Sequence, residues 1–420
     1  MVNICVCTDF SLDTHHGSTD RIINFVTALS KSGATVFLID RSREKSIAAL
    51  LFDRDQYYRV EKGVAEKCFY PFYMRFLFPG LIKLMQEILN KGLSVFIRAP
   101  ASEVTLFYAI DPYLMAKLFF VCRKESVDLI QCELPTTIFP SFLVKSLFDI
   151  PLVYDAHNVE SERLRSMTKV SKLYVTFVAQ MEILGASISD KIFAVSEEDK
   201  EQLLALNIAR EKIKVIPNSV EIDKFSPAVD GMTVRNKYGL NGKMVFIFHG
   251  ALGYPPNKEA VAILLNYVMP IILKKYPFCY LLLVGKAPPK VSKPNVLVTG
   301  FVENLPEYIA AADIALVPLL RGGGTKIKML EYMACGKAVV STWKGAEGLD
   351  LQNGKEVLLC ERPDSQFIDL VFKLVEERDL MNTIGTNARK KVESCYDWRK
   401  NSRSALAIFG NLISASRKNS

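Results

Sequence analysis

The sequence lacks the paired cysteines of a disulfide-bonded or zinc-binding protein. Its 420 residues include nine cysteines and four histidines, and it has no Cys-x-x-Cys. An odd number of thiols, mostly inside apolar segments and with no signal peptide ahead of the first strand, is typical of a reducing compartment. The histidines have no thiol partners at the spacing of a zinc site. We therefore expect a cytoplasmic protein without a structural metal.

Long apolar runs and clustered basic residues are also missing. The longest apolar region, 104–122, is interrupted by Asp111, Pro112 and Lys117, so no transmembrane helix is predicted. The net charge of +8 is spread along the chain. That distribution argues against nucleic acid and leaves anionic substrates or an anionic membrane surface open. The length and the 50% apolar content favour two globular domains.

A dinucleotide-binding fingerprint is absent, although the chain opens with a βαβ pattern. Residues 2–8 predict a strand, 19–32 a helix and 35–39 a second strand. Only Gly17 lies in the first turn, where Gly-x-Gly-x-x-Gly would be needed. We therefore do not favour a nicotinamide site, and from the pattern alone Gly17 is an ordinary helix-entry turn.

The aromatic segment 69–80 and the amphipathic run 81–93 have two interpretations. Aromatic side chains at this density usually pack against a sheet, whereas an exposed set would touch lipid or an apolar acceptor. Both interpretations stay open.

Polar residues follow the strand predicted at 151–154. Asp155, His157 and Asn158 would lie at the carboxyl edge of a parallel sheet, where α/β proteins bind ligands. His157 could hydrogen-bond a sugar hydroxyl or a phosphate, or it could be a loop histidine that caps the next helix. Residues 191–195 predict the last strand of this half, Ser196 caps the following helix, and 217–227 read as a linker.

Three predicted strands of the second half each end at glycine. The strands 244–248, 280–284 and 296–299 are followed by Gly250, Gly285 and Gly300. If these strands share one sheet, their glycines line one edge and favour a ligand site there.

The most informative stretch is 319–349. Gly322, Gly323 and Gly324 follow an apolar strand, and Thr325 is predicted to open an amphipathic helix. Glycines allow close approach of the backbone, and a helix N-terminus favours an anion, so a phosphate would sit well at Thr325. On that helix Lys328 and Glu331 are predicted to share one face, the cation suiting a diphosphate and the carboxylate ribose hydroxyls. Such turns also occur in α/β folds without any ligand.

The segment GGGTKIKMLEYMACGKAVVSTWKGAEGL resembles the donor-site signature of the retaining family 4 glycosyltransferases. YDAHNVESERL and VIPNSVEIDKFSP are similar to the acceptor-domain segment and the interdomain connection of that family. Members usually have two glutamates eight positions apart in the donor loop and helix. Glu331 matches the second, which holds ribose, and Gly323 stands where the first would touch the donor sugar.

The resemblance implies an α/β protein of GT-B architecture, with two Rossmann-like, doubly wound domains facing a central cleft. Residues 1–217 would form the acceptor-binding domain and 218–401 the nucleotide-sugar domain. The last helix, about 402–420, would pack back on the first domain.

The implied reaction is the transfer of a hexosyl group from a nucleoside diphosphate sugar to a saccharide or lipid-linked saccharide, with retention of configuration. It belongs to glycan biosynthesis and needs no metal or other cofactor. A location in the cytoplasm is expected, with peripheral contact at the cytoplasmic face of the membrane as an open addition. Two alternatives remain: a nucleotide-sugar 2-epimerase of the same fold, and a nucleotide-sugar-binding protein with degraded catalysis.

The resemblance also assigns roles to individual residues. His157 would position the donor sugar, and Lys326 or Lys328 would supply the positive charge that many members take from an arginine after the Gly250 loop. The implied catalytic residues are His157, Lys326 and Lys328. The implied substrate-binding residues are Gly17, facing the diphosphate, Asn158, Gly250 near the phosphates, Val302 near the base, Gly323, Gly324, Thr325 and Glu331.

Overall fold

The structure is a computed structural model that describes residues 2–8, 17–40, 56–71, 74, 79–97, 111–165, 170–291 and 293–419. The chain separates into two compact units, Met1–Pro217 with Arg399–Ser420, and Asn218–Trp398. Much of the aromatic segment 69–80, and the apolar residues 104–110, lie outside the described residues.

The first unit is built on an eight-stranded sheet with the order β4-β3-β2-β1-β5-β6-β7-β8. All neighbouring pairs are parallel except those that β3 makes with β2 and β4. Its strands are β1 (Val2–Thr8), β2 (Ala34–Asp40), β3 (Gln56–Glu61), β4 (Val64–Phe69), β5 (Leu129–Glu133), β6 (Leu152–Ala156), β7 (Lys191–Ala194) and β8 (Ile213–Val215).

Helices connect these strands in the manner of a doubly wound fold. They are α1 (Gly17–Lys31), α2 (Pro79–Ile97), α3 (Pro112–Lys124), α4 (Ile138–Phe148), α5 (Glu160–Arg165), α6 (Lys172–Ile188) and α7 (Glu197–Ala205), with 3-10 turns at Pro135–Thr137 and Arg210–Lys212. Ser196 caps α7 as predicted, because its Oγ accepts the Asp199 N–H at 3.0 Å.

The second unit has a six-stranded, fully parallel sheet with the order β11-β10-β9-β12-β13-β14. Its strands are β9 (Met244–His249), β10 (Cys279–Val284), β11 (Val296–Gly300), β12 (Ile314–Val317), β13 (Ala338–Thr342) and β14 (Leu358–Cys360). Its helices are α8 (Met232–Tyr238), α9 (Pro255–Ile263), α10 (Met269–Lys275), α11 (Leu305–Ala311), α12 (Ile327–Ala334), α13 (Ser365–Glu376) and α14 (Arg378–Cys395), with a π-helical turn at Leu264–Val268 and a 3-10 turn at Trp343–Gly345.

The C-terminal helix α15 (Trp398–Asn419) belongs to the first unit from Arg399 onward. Its Phe409 ring stacks on that of Phe193 in β7, with centroids 5.6 Å apart. Near the end of the helix, Arg417 Nη2 lies 2.6 Å from an oxygen of Asp128. The chain end therefore completes the packing of the unit that contains the chain start.

Strands that are buried along their whole length show that the centre of each sheet is covered on both faces. Every residue of β12 and of β13 is buried, and so is every residue of β5 and of β6. Strands that are buried along their whole length, and mostly apolar, favour parallel sheets between helices. The predicted α/β class with two Rossmann-like domains is confirmed. Among the helices that the structure describes, none has both the length and the apolar character to cross a bilayer.

Two features of the first sheet differ from the sequence prediction. The strand at 191–195 was predicted to be the last of this half, but β8 follows it and pairs with it. The hairpin of β3 and β4 was missed. Lys62 and Gly63, with φ of 50° and 82°, form its two-residue turn, and only a glycine at the second position signals this geometry in the sequence.

Candidate functional site

The three glycine-ended strands of the second unit meet at one edge, as predicted. The Gly250 N–H donates to the Val284 carbonyl at 3.0 Å, and the Gly285 N–H donates to the Gly300 carbonyl at 2.8 Å. Gly285 has a φ of +141°, and a Cβ there would lie 1.8 Å from the Gly250 carbonyl oxygen. Close backbone approach therefore requires glycine at this position.

The glycine loop before α12 is closed by Lys326. Its Nζ donates to the Gly322 and Gly323 carbonyls at 3.3 Å each and also to the Gly324 carbonyl. Glu347 Oε2 lies 3.3 Å from the same ammonium. The charge of Lys326 is thus directed at its own loop, which it holds in shape.

The helix after this loop begins later than the sequence indicated. α12 starts at Ile327 with Lys326 as its N-cap, so the prediction that Thr325 opens the helix is wrong by two residues. Thr325 Oγ1 is buried and has no hydrogen-bond partner in the described part of the chain. A Cβ on Gly348 would lie 2.6 Å from that oxygen, so glycine is needed beside it.

Lys328 extends from the first turn of α12 to the strand edge. Its Nζ donates to Asn257 Oδ1 at 2.7 Å and lies 4.1 Å from the centre of the Phe248 ring. A Cβ on Gly250 would be 3.1 Å from this nitrogen, which places the ammonium beside the Gly250 loop. Desolvation lowers the pKa of Lys328 to about 7, against the opposing effect of the Glu331 carboxylate. The Lys328 amine therefore lies beside the glycine edge, where it is cationic below about pH 7.

Glu331 follows one turn later and contacts a histidine that the sequence did not single out. Its Oε2 lies 3.1 Å from His249 Nε2, and its side chain is 16% exposed. The His249 backbone N–H donates to Tyr332 Oη at 2.8 Å, and the two rings meet edge to face with centroids 4.8 Å apart. His249 is the last residue of β9, directly before Gly250.

The remaining predicted positions are Val302 in the second unit and Gly17 and Asn158 in the first. Val302 follows Gly300 and is partly buried against the core of the second unit. Its neighbour Phe301, not predicted, is 61% exposed. In the first unit, Gly17 is the first residue of α1, and Asn158 Nδ2 is 3.4 Å from an oxygen of Glu160.

In the first unit, His157 is held by a glutamate at the end of β5. The His157 Nε2 and Glu133 Oε2 atoms are 2.5 Å apart, and both side chains are buried. Gln131 Nε2 donates to the other carboxylate oxygen at 2.6 Å. Burial raises the pKa of Glu133 to about 7, although Gln131 and the charge of Arg21 act in the opposite direction. Sequence reasoning missed Glu133.

A second buried carboxylate lies beside this pair. The Arg21 guanidinium donates to both oxygens of Asp155, at 2.9 and 3.0 Å, and to the Ile216 carbonyl at 3.1 Å. Burial raises the pKa of Asp155, while Arg21 opposes that shift. One ligand atom each of Glu133, Asp155 and His157 lies within 4.8 Å of the others. Because Arg21 occupies both Asp155 oxygens, we interpret the group as a hydrogen-bond network and assign no metal.

Two models of glycosyltransferase families match this chain. The family described as Glycosyltransferase Family 4 matches residues 16–224, and Glycosyl transferases group 1 matches residues 243–377, so the two matches together cover well over half of the chain. The chain belongs to the family 4 glycosyltransferases. It is an enzyme, a hexosyltransferase, and the architecture of its two units is that of the GT-B fold.

Relatives share about a quarter of their residues with this glycosyltransferase. An uncharacterised glycosyltransferase of Methanocaldococcus jannaschii is 24% identical over 349 residues, covering 78% of this chain and 86% of the relative. The Escherichia coli UDP-Gal:alpha-D-GlcNAc-diphosphoundecaprenol alpha-1,3-galactosyltransferase is 25% identical over 301 residues, covering 67% of this chain and 75% of the relative.

Solved structures show the same fold at lower identity. Anabaena HepE in complex with UDP and glucose superposes with a TM-score of 0.64 at 17% identity, covering 97% of this chain and 99% of HepE. The sucrose-phosphate synthase of Thermosynechococcus elongatus reaches a TM-score of 0.70 at 14% identity, covering 99% and 100%. These relatives and structures give no support to the epimerase alternative.

Proposed function

We propose that this glycosyltransferase moves a hexosyl group from a nucleoside diphosphate sugar to a saccharide or lipid-linked saccharide acceptor, with retention of anomeric configuration. The observation that carries the proposal is the placement of Lys328 and Glu331 one turn apart on α12, with the Lys328 ammonium beside the glycine edge of the second sheet. A diphosphate needs a cation and close backbone approach, and a ribose needs a hydrogen-bond acceptor.

The donor nucleotide binds the second unit in this proposal. Lys328 contacts the diphosphate, and the backbone at Gly250, Gly324 and Thr325 allows the phosphate oxygens to approach closely. Glu331 accepts hydrogen bonds from the ribose hydroxyls. Lys326 supports the glycine loop, because its ammonium is directed at the loop carbonyls.

The base and the donor sugar meet other parts of the chain. The backbone at Val302 contacts the base, next to the exposed ring of Phe301. With Gly323 in place of a carboxylate, that position offers the sugar only backbone contacts. The HepE structure named above contains UDP and glucose, which supports a nucleotide sugar as donor.

The acceptor binds the first unit, where Asn158 and His157 follow β6. The bond from the anomeric carbon to the diphosphate oxygen breaks, and a bond to the acceptor oxygen forms on the same face. The acceptor proton passes to the departing phosphate, so the step uses no carboxylate base. Negative charge that develops on the diphosphate is stabilised by Lys328 and backbone N–H groups, without a metal.

A lipid-linked acceptor agrees with an apolar surface on α2. Met85, Ile88 and Leu89 are 55%, 60% and 44% exposed among the described residues. Their spacing along α2 puts them on one face of the helix. The Escherichia coli relative has a diphosphoundecaprenol saccharide in its name, which supports an acceptor of this class. Peripheral contact with a membrane surface is part of the proposal.

The test is a transfer assay with UDP-, GDP- and ADP-linked hexoses against free and undecaprenyl-diphosphate-linked saccharides, with and without EDTA. We expect one nucleotide class to support transfer, and the anomeric coupling in the NMR spectrum of the product to match that of the donor. A product of opposite anomeric configuration would contradict retention. Loss of transfer with EDTA would contradict a metal-independent step.

A further inference from the structure

We propose that Glu133 is a positioning residue for His157: it fixes the orientation of the imidazole, and the two side chains share one proton. The functional consequence rests on the proposed transfer reaction, whereas the pairing itself is a property of the first unit alone. Neither the family resemblance nor the family matches assigns a role to Glu133.

The backbone holds Glu133 where its side chain meets His157. Glu133 pairs with Asp155 in the register of β5 and β6, so the two carboxylates project beside each other at one strand end. The next residue, Leu134, has a φ of 68°, an uncommon conformation for a branched side chain. Thr137 Oγ1 donates to the Glu133 carbonyl at 2.7 Å, which fixes the turn after the strand.

Both carboxylate oxygens of Glu133 are engaged. Oε1 accepts from Gln131 at 2.6 Å, and Oε2 lies 2.5 Å from His157 Nε2. Hydrogen bonds between an imidazolium and a carboxylate are shorter than neutral ones, and this contact is a short one. Because Nε2 faces Glu133, any contact of the ring with a bound sugar goes through Nδ1 or a carbon edge. A second hydrogen bond of this type usually sets the tautomer of a functional histidine.

Charge balance in the network requires a shared proton. The groups that face one another are Arg21 from α1, Glu133 from β5, and Asp155 and His157 from β6 and the loop after it, with neutral Gln131. Arg21 neutralises Asp155 through two hydrogen bonds. Among the described residues Arg21 is the cation that acts on Glu133, and Asp155 already engages it, so an ionised Glu133 beside a neutral His157 would leave a costly buried negative charge in this network. One proton on the pair removes that charge.

The pKa of Glu133, raised by burial to about 7, agrees with a proton that stays on the pair up to neutral pH. The pair titrates as a unit, so its apparent pKa belongs to both side chains. Replacing Glu133 with glutamine keeps the volume of the side chain but removes its ability to carry the negative charge. The imidazole then loses the partner that stabilises its protonated form.

Glu182 supplies a matched control in the same unit. It is also buried, its pKa is raised by burial to about 7, and it accepts the Glu160 and Ser161 backbone N–H groups at 2.6 and 3.1 Å. Neither of these hydrogen bonds involves His157. Glu182→Gln therefore reports what the loss of a buried carboxylate does to stability alone.

The experiment is an NMR titration of the imidazole nitrogens in ¹⁵N-histidine-labelled protein, with the His157 signals assigned from their loss in His157→Gln. The chain has four histidines, so the spectrum is simple. We expect Glu133→Gln to lower the titration midpoint of His157 by about one pH unit or more. Glu182→Gln should leave the midpoint at its wild-type value. Glu133→Asp should give a midpoint between those of Glu133→Gln and wild type. An unchanged midpoint in Glu133→Gln would overturn the proposal.

Kinetics separate this proposal from the proposed reaction. We expect Glu133→Gln to lower kcat about tenfold or more, to change nucleotide affinity less than about twofold, and to shift the pH profile of kcat. A wild-type kcat and pH profile in Glu133→Gln would overturn the positioning role. If the wild-type protein transfers no sugar, the proposed reaction fails, and the NMR titration still decides whether Glu133 and His157 share a proton.

Discussion

Each unit of this glycosyltransferase contains one glutamate–histidine pair at a strand end, and the two pairs differ in their surroundings. In the first unit, Glu133 and His157 are 2.5 Å apart and both are buried, next to the Arg21 and Asp155 ion pair. In the second unit, Glu331 and His249 are 3.1 Å apart, and the glutamate side chain is 16% exposed.

The difference indicates two different tasks. A buried carboxylate whose two oxygens both contact its own chain can orient a neighbour, but its burial keeps a ligand from reaching it. A partly exposed carboxylate beside Lys328 can still accept hydrogen bonds from a ribose. We therefore interpret Glu133 as a group that acts through His157, and Glu331 as a group that contacts the nucleotide.

The largest effect is expected at the histidine of the first unit. His157→Ala should lower kcat by roughly 10²–10³-fold, about 3–4 kcal/mol, if His157 positions the donor sugar as the family resemblance implies. Nucleotide affinity, measured by calorimetry, should stay within about twofold of wild type. Equal activity in the variant would make His157 a structural residue and remove the contrast between the two units.

The next effect concerns the glycine edge of the second unit. Gly285→Ala should lower the free energy of unfolding by about 3 kcal/mol, because the added Cβ meets the Gly250 carbonyl and the backbone has a positive φ. Gly300→Ala is the control, since its φ is +74° but a Cβ there has no atom within 4 Å. Chemical denaturation should show a loss of only about 1 kcal/mol for it. Equal losses of stability in the two variants would mean that the close approach of Gly285 to the Gly250 carbonyl does not require glycine.

At the exposed carboxylate, Glu331→Ala should weaken nucleotide binding by about 1.5–3 kcal/mol, the value of charged hydrogen bonds to ribose. Isothermal calorimetry on the folded variant measures this change. His249→Asn should weaken binding less, because the proposed role of His249 is to contact Glu331. Unchanged nucleotide affinity in Glu331→Ala would contradict the assignment of Glu331 to ribose binding.

The smallest effect is a pH dependence at Lys328. Since burial lowers its pKa to about 7, the side chain is cationic below that pH and largely neutral above it. A diphosphate binds the cation, so nucleotide affinity should fall by up to about tenfold per pH unit between about pH 7 and pH 9. Lys328→Arg keeps the charge and should bind with little pH dependence in this range. A flat profile in the wild type would show that Lys328 does not contact the phosphates.

Sequence reasoning predicted the fold and the position of Lys328 and Glu331 on the helix after the glycine loop, because both depend on local patterns. The apolar strands, the glycines that end β9, β10 and β11, and the Lys328 and Glu331 spacing can all be read within short windows. Glu133 and His249 could not be predicted in this way. Each lies at the end of an ordinary apolar strand, and only the pairing of β5 with β6, or the packing of α12 beside β9, brings its partner within 3.1 Å or less.

The start of α12 shows a further limit of local patterns. Gly324 and Thr325 have the residue types of a helix entry, yet Lys326 is the N-cap, and its side chain contacts the carbonyls of the glycine loop. Met329 and Tyr332 are also fully buried, so more of this helix faces the core than an amphipathic pattern indicated.

The central claim is that the pair in the second unit binds the nucleotide and the pair in the first does not. The most direct test is calorimetric titration of UDP, GDP and ADP, without added metal, into wild type, Glu331→Gln and Glu133→Gln. We predict that one nucleotide binds wild type selectively, that Glu331→Gln weakens it about tenfold or more, and that Glu133→Gln changes it less than about twofold. Equal weakening in both variants, or no binding of any nucleotide to wild type, would contradict the claim.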